Sequence, residues 1–105
     1  MPPNASPSSP SPKAEPKRFR AEILGDVQGV GFRFFAERRA IQLGLHGWVR
    51  NRYDGAVEVE AEGRPEDLDL FLGALRQGPR SARIQDVRVH WLPFRGDLPP
   101  FTVKF

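Results

Sequence analysis

Two hydrophobic periodicities alternate along residues 18–105, and their order restricts the fold more than any other feature of the sequence. A two-residue alternation of apolar and charged side chains opens this stretch and predicts a half-buried strand. A glycine-rich loop follows, and then a helical spacing that Gly44 is expected to end. The apolar residues of the strand are Phe19, Ala21 and Ile23. Those of the helix are Phe32, Ala36, Ala40 and Leu43.

The same succession continues after Gly44. Residues 45–51 are predicted to form a second strand, and Asp54-Gly55 is a strong hairpin signal that leads into a third. Pro65 can begin a second helix because the first helical position needs no N–H donor, and Gly78-Pro79 ends it. Two more alternating segments follow. Their apolar residues are Val87, Val89 and Trp91 in the first, and Phe101, Val103 and Phe105 in the second.

This order, β-α-β-β-α-β with a short extra C-terminal strand, predicts an α+β fold. It is typical of the ferredoxin-like α/β sandwich, an antiparallel sheet with both helices on one face. We assign residues 18–105 to this single domain. Residues 1–17 are dominated by Pro and Ser and contain no large apolar side chain after Met1, so we predict a disordered tail.

Composition excludes several classes of function. The chain has no Cys, which removes disulfides, thiolate metal sites and a Cys nucleophile, and suits a reducing compartment. The net charge of +3 suits an anionic ligand, but no long Lys/Arg run points to nucleic acid. No apolar run is long enough to cross a membrane. We therefore expect a cytoplasmic protein that binds neither nucleic acid nor membrane. A monomer is also expected, although composition does not determine the oligomeric state.

Residues 25–33 form the segment with the clearest chemical content. Glycines between a strand and a helix allow positive φ angles, which turn successive N–H groups inward to form an anion-binding nest. The helix start adds partial positive charge, and Arg33 in its first turn can donate two parallel hydrogen bonds to phosphate oxygens. An Arg at this end of a helix opposes the macrodipole preference, and a bound anion would compensate for it. The loop amides expected to bind phosphate are those of Val27, Gln28, Gly29, Val30, Gly31 and Phe32.

Chain geometry brings Asn51 into consideration. The first helix descends roughly 18 Å and the following strand climbs back roughly 20 Å, so a right-handed crossover returns Asn51 to the level of the loop. Its carboxamide carries both donors and an acceptor and could orient a water molecule. A plain turn role next to Asp54-Gly55 remains an open alternative from spacing alone.

Other polar and aromatic residues are assigned structural roles. We predict that Glu58, Glu60 and Glu62 form a solvated sheet face, and that Lys17, Arg18 and Arg20 form a solvated strand start. Asp26 is expected to cap the loop rather than act as a base, and Trp48 and Trp91 to pack in or beside the core. His46 and His90 lack companions at ligand spacing, so no metal site is expected.

Four motifs, taken in order, resemble the acylphosphatase family over residues 18–105. They are Val-Gln-Gly-Val-Gly-Phe-Arg at 27–33, Gly-Trp-Val-Arg-Asn at 47–51, Asp-Gly-x-Val-Glu at 54–58 and Glu-Gly at 62–63. The segment after Trp91 matches only loosely, and Gly31 stands where relatives often have a larger residue. The resemblance implies a ferredoxin-like fold and hydrolysis of acyl phosphates without metal or other cofactor. It places the phosphate-binding arginine at Arg33, the water-positioning asparagine at Asn51 and the loop amides at 27–32. A small-molecule acyl phosphate would be the substrate, and inorganic phosphate an inhibiting product.

Two other functions stay open at this point. Gly29 to Phe35 superficially resembles an aromatic RNA-binding motif, although that motif belongs on a third strand and Arg33 takes one of its apolar positions. A ferredoxin-like module could also bind phosphate without turnover. Hydrogenase-maturation carbamoyltransferases contain a similar domain, but this chain lacks their further domains and zinc-finger cysteines.

Overall fold

The computed structural model describes residues 15–105, and seven elements account for most of them. The strands are β1 (Lys17–Asp26), β2 (His46–Asn51), β3 (Val57–Gly63), β4 (Arg83–Leu92) and β5 (Thr102–Lys104). The helices are α1 (Phe32–Gln42) and α2 (Pro65–Gln77). The element order confirms the predicted ferredoxin-like α+β class, with the additional strand at the C-terminal end. The predicted tail lies almost wholly outside the described residues, and β1 begins at its last residue, Lys17.

The five strands form one sheet in the order β4-β1-β3-β2-β5. Neighbouring strands are antiparallel except for β2 and β5, which pair in parallel. The sheet is therefore mixed, and the prediction of an antiparallel sheet holds only for the first four strands. The β2–β3 hairpin predicted from Asp54-Gly55 is present, and Gly55 has a φ of +97° in its turn.

One face of the sheet packs against both helices and forms the core. In β1, Phe19, Ala21 and Ile23 are fully buried, and they alternate with the charged residues of the opposite face. The ring of Phe71 on α2 lies 6.3 Å from that of Phe19 and 5.5 Å from that of Phe101, measured between centroids. Burying aromatic side chains is a large favourable contribution to folding, so these contacts hold α2 against the sheet.

The carboxylates on the opposite face of β3 are buried, which makes the prediction of a solvated row wrong. Glu58, Glu60 and Glu62 are 6%, 7% and 3% exposed. The error has a topological cause. Because β3 lies between β1 and β2, arginines from both neighbours cover its charged side chains. Arg50 Nη2 of β2 lies 2.7 Å from Glu58 Oε1.

Arg18 was likewise predicted to be solvated and is buried instead. Its Nε lies 2.6 Å from Glu60 Oε2, and its Nη1 contacts Glu62 Oε2 at 3.1 Å and Asp97 Oδ1 at 2.9 Å. Burial alone would lower the pKa of Arg18, but hydrogen bonds to Asp97, Glu60 and Glu62 raise it above its ordinary value. The three carboxylates thus offset the cost of removing the guanidinium charge from water.

Glu62 accepts hydrogen bonds both from Arg18 and from the segment after β4. Besides Arg18 it accepts hydrogen bonds from the main-chain N–H groups of Arg95, at 2.7 Å, and Gly96, at 3.1 Å. Burial alone would raise the pKa of Glu62, but these two amides and Arg18 together lower it. The carboxylate therefore ties the 95–97 segment to the centre of the sheet.

Candidate active site

The loop between β1 and α1 takes its shape from two glycines. Gly29 and Gly31 have φ angles of +74° and +78°, in the left-handed region where a side chain is strained. Gly31 is the N-cap of α1, so the helix begins at Phe32 and Arg33 lies in its first turn, as predicted. The glycines thus bring Arg33 to the helix start directly behind a tight loop.

The start of α1 has no negative charge of its own. It has neither a side-chain cap nor an acidic residue in its first turn. By contrast, α2 has Glu66 and Asp67 in its first turn, where they offset the positive end of the helix dipole. At the start of α1 the partial positive charge of the helix end adds to the positive charge of the Arg33 guanidinium. This part of the surface therefore favours an anion.

A cavity of about 170 Å³ lies at this point of the molecule. Arg33 of α1 and Asn51 of β2 both line it, although they are 18 positions apart in the sequence. The other lining residues are Val27, Gly29, Gly31, Phe32 and Phe34. The structure therefore brings the predicted arginine, the predicted asparagine and four of the six predicted loop residues to one cavity.

Asn51 is the last residue of β2 and is paired with Val57 of β3. Its Oδ1 atom is buried and accepts no hydrogen bond from any residue that the structure describes. A buried acceptor without a partner costs free energy, about 1–3 kcal/mol in mutational data, unless a water or ligand satisfies it. Asn51 therefore has an unused hydrogen-bond acceptor and lines the same cavity as Arg33.

Comparison with known proteins decides the family. The acylphosphatase family model matches residues 19–103. The chain belongs to the acylphosphatase family. The acylphosphatase of Salinibacter ruber is 52% identical over 88 residues, which cover 84% of this chain and 93% of that protein. The acylphosphatase of Thermus thermophilus is 54% identical over 74 residues, covering 70% of this chain and 84% of that protein.

Solved structures agree with the fold. The crystal structure of acylphosphatase from Bacillus subtilis matches with a TM-score of 0.82 at 35% sequence identity. The match covers 85% of this chain and 99% of that chain. The level of identity to curated acylphosphatases over most of the chain makes this protein an acylphosphatase enzyme. The resemblance of the four sequence motifs to this family is thereby confirmed.

Gln28 and Val30 of the predicted loop are not among the residues that line the acylphosphatase cavity. The Gln28 side chain reaches the β2–β3 turn, where Nε2 donates to the carbonyl oxygens of Arg52 at 2.6 Å and Ala56 at 2.8 Å. The Val30 carbonyl accepts a hydrogen bond of 2.9 Å from Ser81 Oγ, in the segment after α2. Side chains and carbonyls thus fix both flanks of the loop to neighbouring segments.

Phe105 contacts the candidate site although no sequence motif includes it. Its ring centroid lies 4.8 Å from Arg33 Cζ, a cation–π contact, and its side chain is otherwise exposed. Phe34, which lines the cavity, is 55% exposed. Alternation predicted Phe105 as part of the last strand, yet β5 ends at Lys104. No local pattern could have indicated its contact with Arg33.

The remaining sequence candidates lie elsewhere. Asp26, the last residue of β1, is exposed and does not line the cavity. His90 is on the opposite face of the sheet, where Nε2 lies 3.9 Å from Glu22 Oε1. Within residues 15–105, no group of three or more His, Cys, Asp or Glu side chains is arranged to hold a metal ion. Neither helix of this part is long and apolar enough to cross a bilayer.

The segment that resembles an RNA-binding motif is not on a strand. Residues 29–31 are in the loop, and the remainder is the first turn of α1. Phe32 is 1% exposed within the core, with its ring 5.9 Å from that of Phe35, so it offers no stacking platform to a base. An aromatic sheet surface of the RNA-recognition type is therefore not formed by these residues.

Proposed function

We propose that this acylphosphatase hydrolyses the carboxyl-phosphate bond of acyl phosphates without a metal, with Arg33 and Asn51 as its catalytic residues. The observation that carries the proposal is the shared cavity. Arg33, the uncapped start of α1 and Asn51, whose Oδ1 has no hydrogen-bond partner among residues 15–105, all border about 170 Å³ of space. The first two favour the phosphoryl group, and the third suits a water molecule.

The main requirement of the reaction is to stabilise negative charge on the phosphoryl group. Its carboxylate leaving group is a weak base, so departure needs little help from a general acid. Charge on the equatorial oxygens must instead be stabilised in the transition state. Arg33 and the main-chain N–H groups of residues 27–32 would supply preorganised donors for those oxygens. A fixed set of donors needs no reorganisation during the reaction.

Asn51 is assigned to the attacking water. Its Oδ1 would accept a hydrogen bond from the water and direct a lone pair toward phosphorus, opposite the acyl oxygen. The new bond joins the water oxygen to phosphorus, while the bond from phosphorus to the acyl oxygen breaks. The carboxylate leaves with that electron pair, and the water proton passes to the phosphate product or to solvent. No covalent enzyme intermediate is needed.

The wider features of the proposal follow from the same chemistry. The substrate is a small-molecule acyl phosphate, and inorganic phosphate competes for the donors that bind its phosphoryl group. The residues at the cavity act without a cofactor. We also propose that the enzyme works in the cytoplasm as a monomer. The lack of cysteine agrees with a reducing compartment, and the net charge of +3 with a protein that does not self-associate.

The test compares Arg33→Ala and Asn51→Ala with Arg38→Ala, which removes an exposed arginine from the same helix. Benzoyl phosphate hydrolysis is measured with and without a chelator, and inorganic phosphate is the competitive inhibitor. Losing the Arg33 donors should cost about 3–4 kcal/mol of transition-state stabilisation and weaken phosphate inhibition. Asn51→Ala should lower kcat while phosphate inhibition persists.

The control variant Arg38→Ala should retain wild-type rates. Wild-type-like turnover in folded Arg33→Ala and Asn51→Ala proteins would refute the assignment of the site. Phosphate binding without turnover by the unmodified protein would instead favour a binding module, and loss of turnover with the chelator would contradict the metal-independent mechanism.

A further inference from the structure

The Gln28 side chain connects the phosphate loop to the hairpin that contains Asn51. One NH₂ group donates two hydrogen bonds, to Arg52 O at 2.6 Å and to Ala56 O at 2.8 Å. Both bonds are short and both acceptors are main-chain carbonyls, so the contact fixes the backbone rather than a mobile side chain. Gln28 itself is half-buried, which limits competition from water.

The two carbonyls are at the base of the β2–β3 turn. Arg52 follows Asn51 directly, and Ala56 precedes Val57, the residue paired with Asn51. Arg52 N donates to Ala56 O at 2.8 Å, and Gly55 N donates to Arg52 O at 3.2 Å. Gln28 therefore adds a second donor to each carbonyl that closes the turn, immediately beyond the last pair of the hairpin.

The other contacts at that end of the hairpin involve side chains: Arg52 Nη1 lies 2.6 Å from Glu22 Oε2 of β1, and Ala56 N donates to Asp54 Oδ1 at 3.1 Å. The turn residues Tyr53, Asp54 and Gly55 are exposed, and β2 ends at Asn51 itself. A hairpin end with exposed tip residues frays more easily than the middle of a sheet. Contacts at the base of the turn consequently decide how well the Asn51 carboxamide is held against the cavity.

We propose that Gln28 is a positioning residue that holds Asn51, and thereby the attacking water, in register with the phosphate loop. The inference rests on the proposed role of Asn51. Gln28 belongs to the loop proposed to bind phosphate, while its side-chain amide fixes the hairpin that contains Asn51. Gln28 thus sets the distance between the loop that binds the phosphoryl group and the asparagine that holds the attacking water.

The variant that tests this is Gln28→Met, which keeps the length of the side chain and removes both donors. We expect kcat for benzoyl phosphate to fall roughly tenfold or more, since a displacement of about 1 Å at the reacting centre can cost about a hundredfold. Inhibition by inorganic phosphate should stay near its wild-type strength, because Arg33 and the loop amides remain. If Gln28→Met does not fold, Gln28→Asn keeps an amide that is one methylene too short to reach both carbonyls.

Ser81→Ala is the matched control. It also removes a side-chain hydrogen bond between the phosphate loop and a neighbouring segment, but on the flank away from Asn51. If Gln28 only stabilised the loop, both variants would lose stability in urea and neither would lower kcat selectively. We expect Ser81→Ala to retain kcat, whereas an equal loss in both variants would overturn the proposal.

A double-mutant cycle with Asn51→Ala separates positioning from general damage. If Gln28 acts through Asn51, Gln28→Met should add no further loss of kcat in the Asn51→Ala background. Independent, multiplicative losses would overturn the positioning role. Should Asn51→Ala alone keep full kcat, the proposed function of Asn51 fails. If only Asn51→Ala loses kcat and Gln28→Met does not, the inference about Gln28 fails by itself.

Discussion

Replacing Glu62 with Gln should destabilise the protein much more than replacing Glu58 with Gln. Both carboxylates are buried, lie on the same face of β3 and are separated by two alternations of the strand. They differ in their partners. Glu62 accepts from two main-chain N–H groups and from the buried Arg18, whereas Glu58 pairs with Arg50, whose side chain is 48% exposed.

The magnitude follows from these contacts. The Oε1 of a Gln at position 62 could still accept the two main-chain hydrogen bonds, but without the carboxylate charge. A hydrogen bond to a charged group contributes about 1.5–3 kcal/mol and a neutral one about 1 kcal/mol. Arg18 would keep Glu60 and Asp97, so we expect a net loss of about 2–3 kcal/mol. For Glu58→Gln the partner Arg50 is half-exposed and already solvated, so the pair contributes at most about 1 kcal/mol.

Urea unfolding followed by circular dichroism gives the free energy of unfolding of both variants at pH 7. The pH dependence supplies a second check. Because the folded-state pKa of Glu62 is lowered, its contribution is fully present above the ordinary pKa of 4.5 and is lost as the pH falls through the lowered value. The difference between wild type and Glu62→Gln should therefore shrink in acid. Equal destabilisation by the two variants, or a difference independent of pH, would refute the reasoning.

Two further predictions concern Gly25 near the end of β1 and the guanidinium of Arg33. A Cβ at Gly25 would lie 2.1 Å from Arg83 O, so Gly25→Ala should lower the free energy of unfolding by about 2–5 kcal/mol. An added Cβ at Gly44 meets no neighbouring group within 4 Å, so Gly44→Ala should lower the free energy of unfolding by only about 1–2 kcal/mol, the cost of its positive φ. Similar urea midpoints for Gly25→Ala and Gly44→Ala would contradict this. Phe105→Ala should remove about 0.5–1 kcal/mol of contact with Arg33 and raise KM for benzoyl phosphate about two- to fivefold. Tyr53→Ala, which removes another exposed ring, should not, and an unchanged KM in Phe105→Ala would contradict the contact.

The order of elements could be predicted because it depends on local patterns. Alternation placed β1 and β3, helical spacing placed α1 and α2, and Asp54-Gly55 placed the hairpin between β2 and β3. The Arg33 position followed from the same kind of signal, since Gly31 ends the loop and the helix begins directly after it. Such features involve residues within a few positions of each other, so the chain alone contains the information.

Partners distant in the sequence could not be predicted in the same way. An alternating row of glutamates predicts a solvated face unless the strand is known to be central in the sheet. The order of elements along the chain does not show that β3 lies between β1 and β2. The parallel pairing of β5 with β2 is equally invisible, since an isolated short strand specifies no neighbour. For Gln28, the motif indicated a main-chain donor and gave no sign of its side-chain contacts.

The sequence by itself determined the local parts of this acylphosphatase: a glycine loop that must adopt positive φ, an arginine at a helix start without acidic neighbours, and alternating strands with one apolar face. Only the tertiary structure decided that Arg33 and Asn51 border one cavity, that Gln28 joins the loop to the hairpin and that β3 buries its carboxylates. The physical reason is the separation in sequence between the residues that interact. Backbone conformation and periodicity are set by near neighbours, whereas burial and charge pairing depend on which strands the completed sheet places side by side.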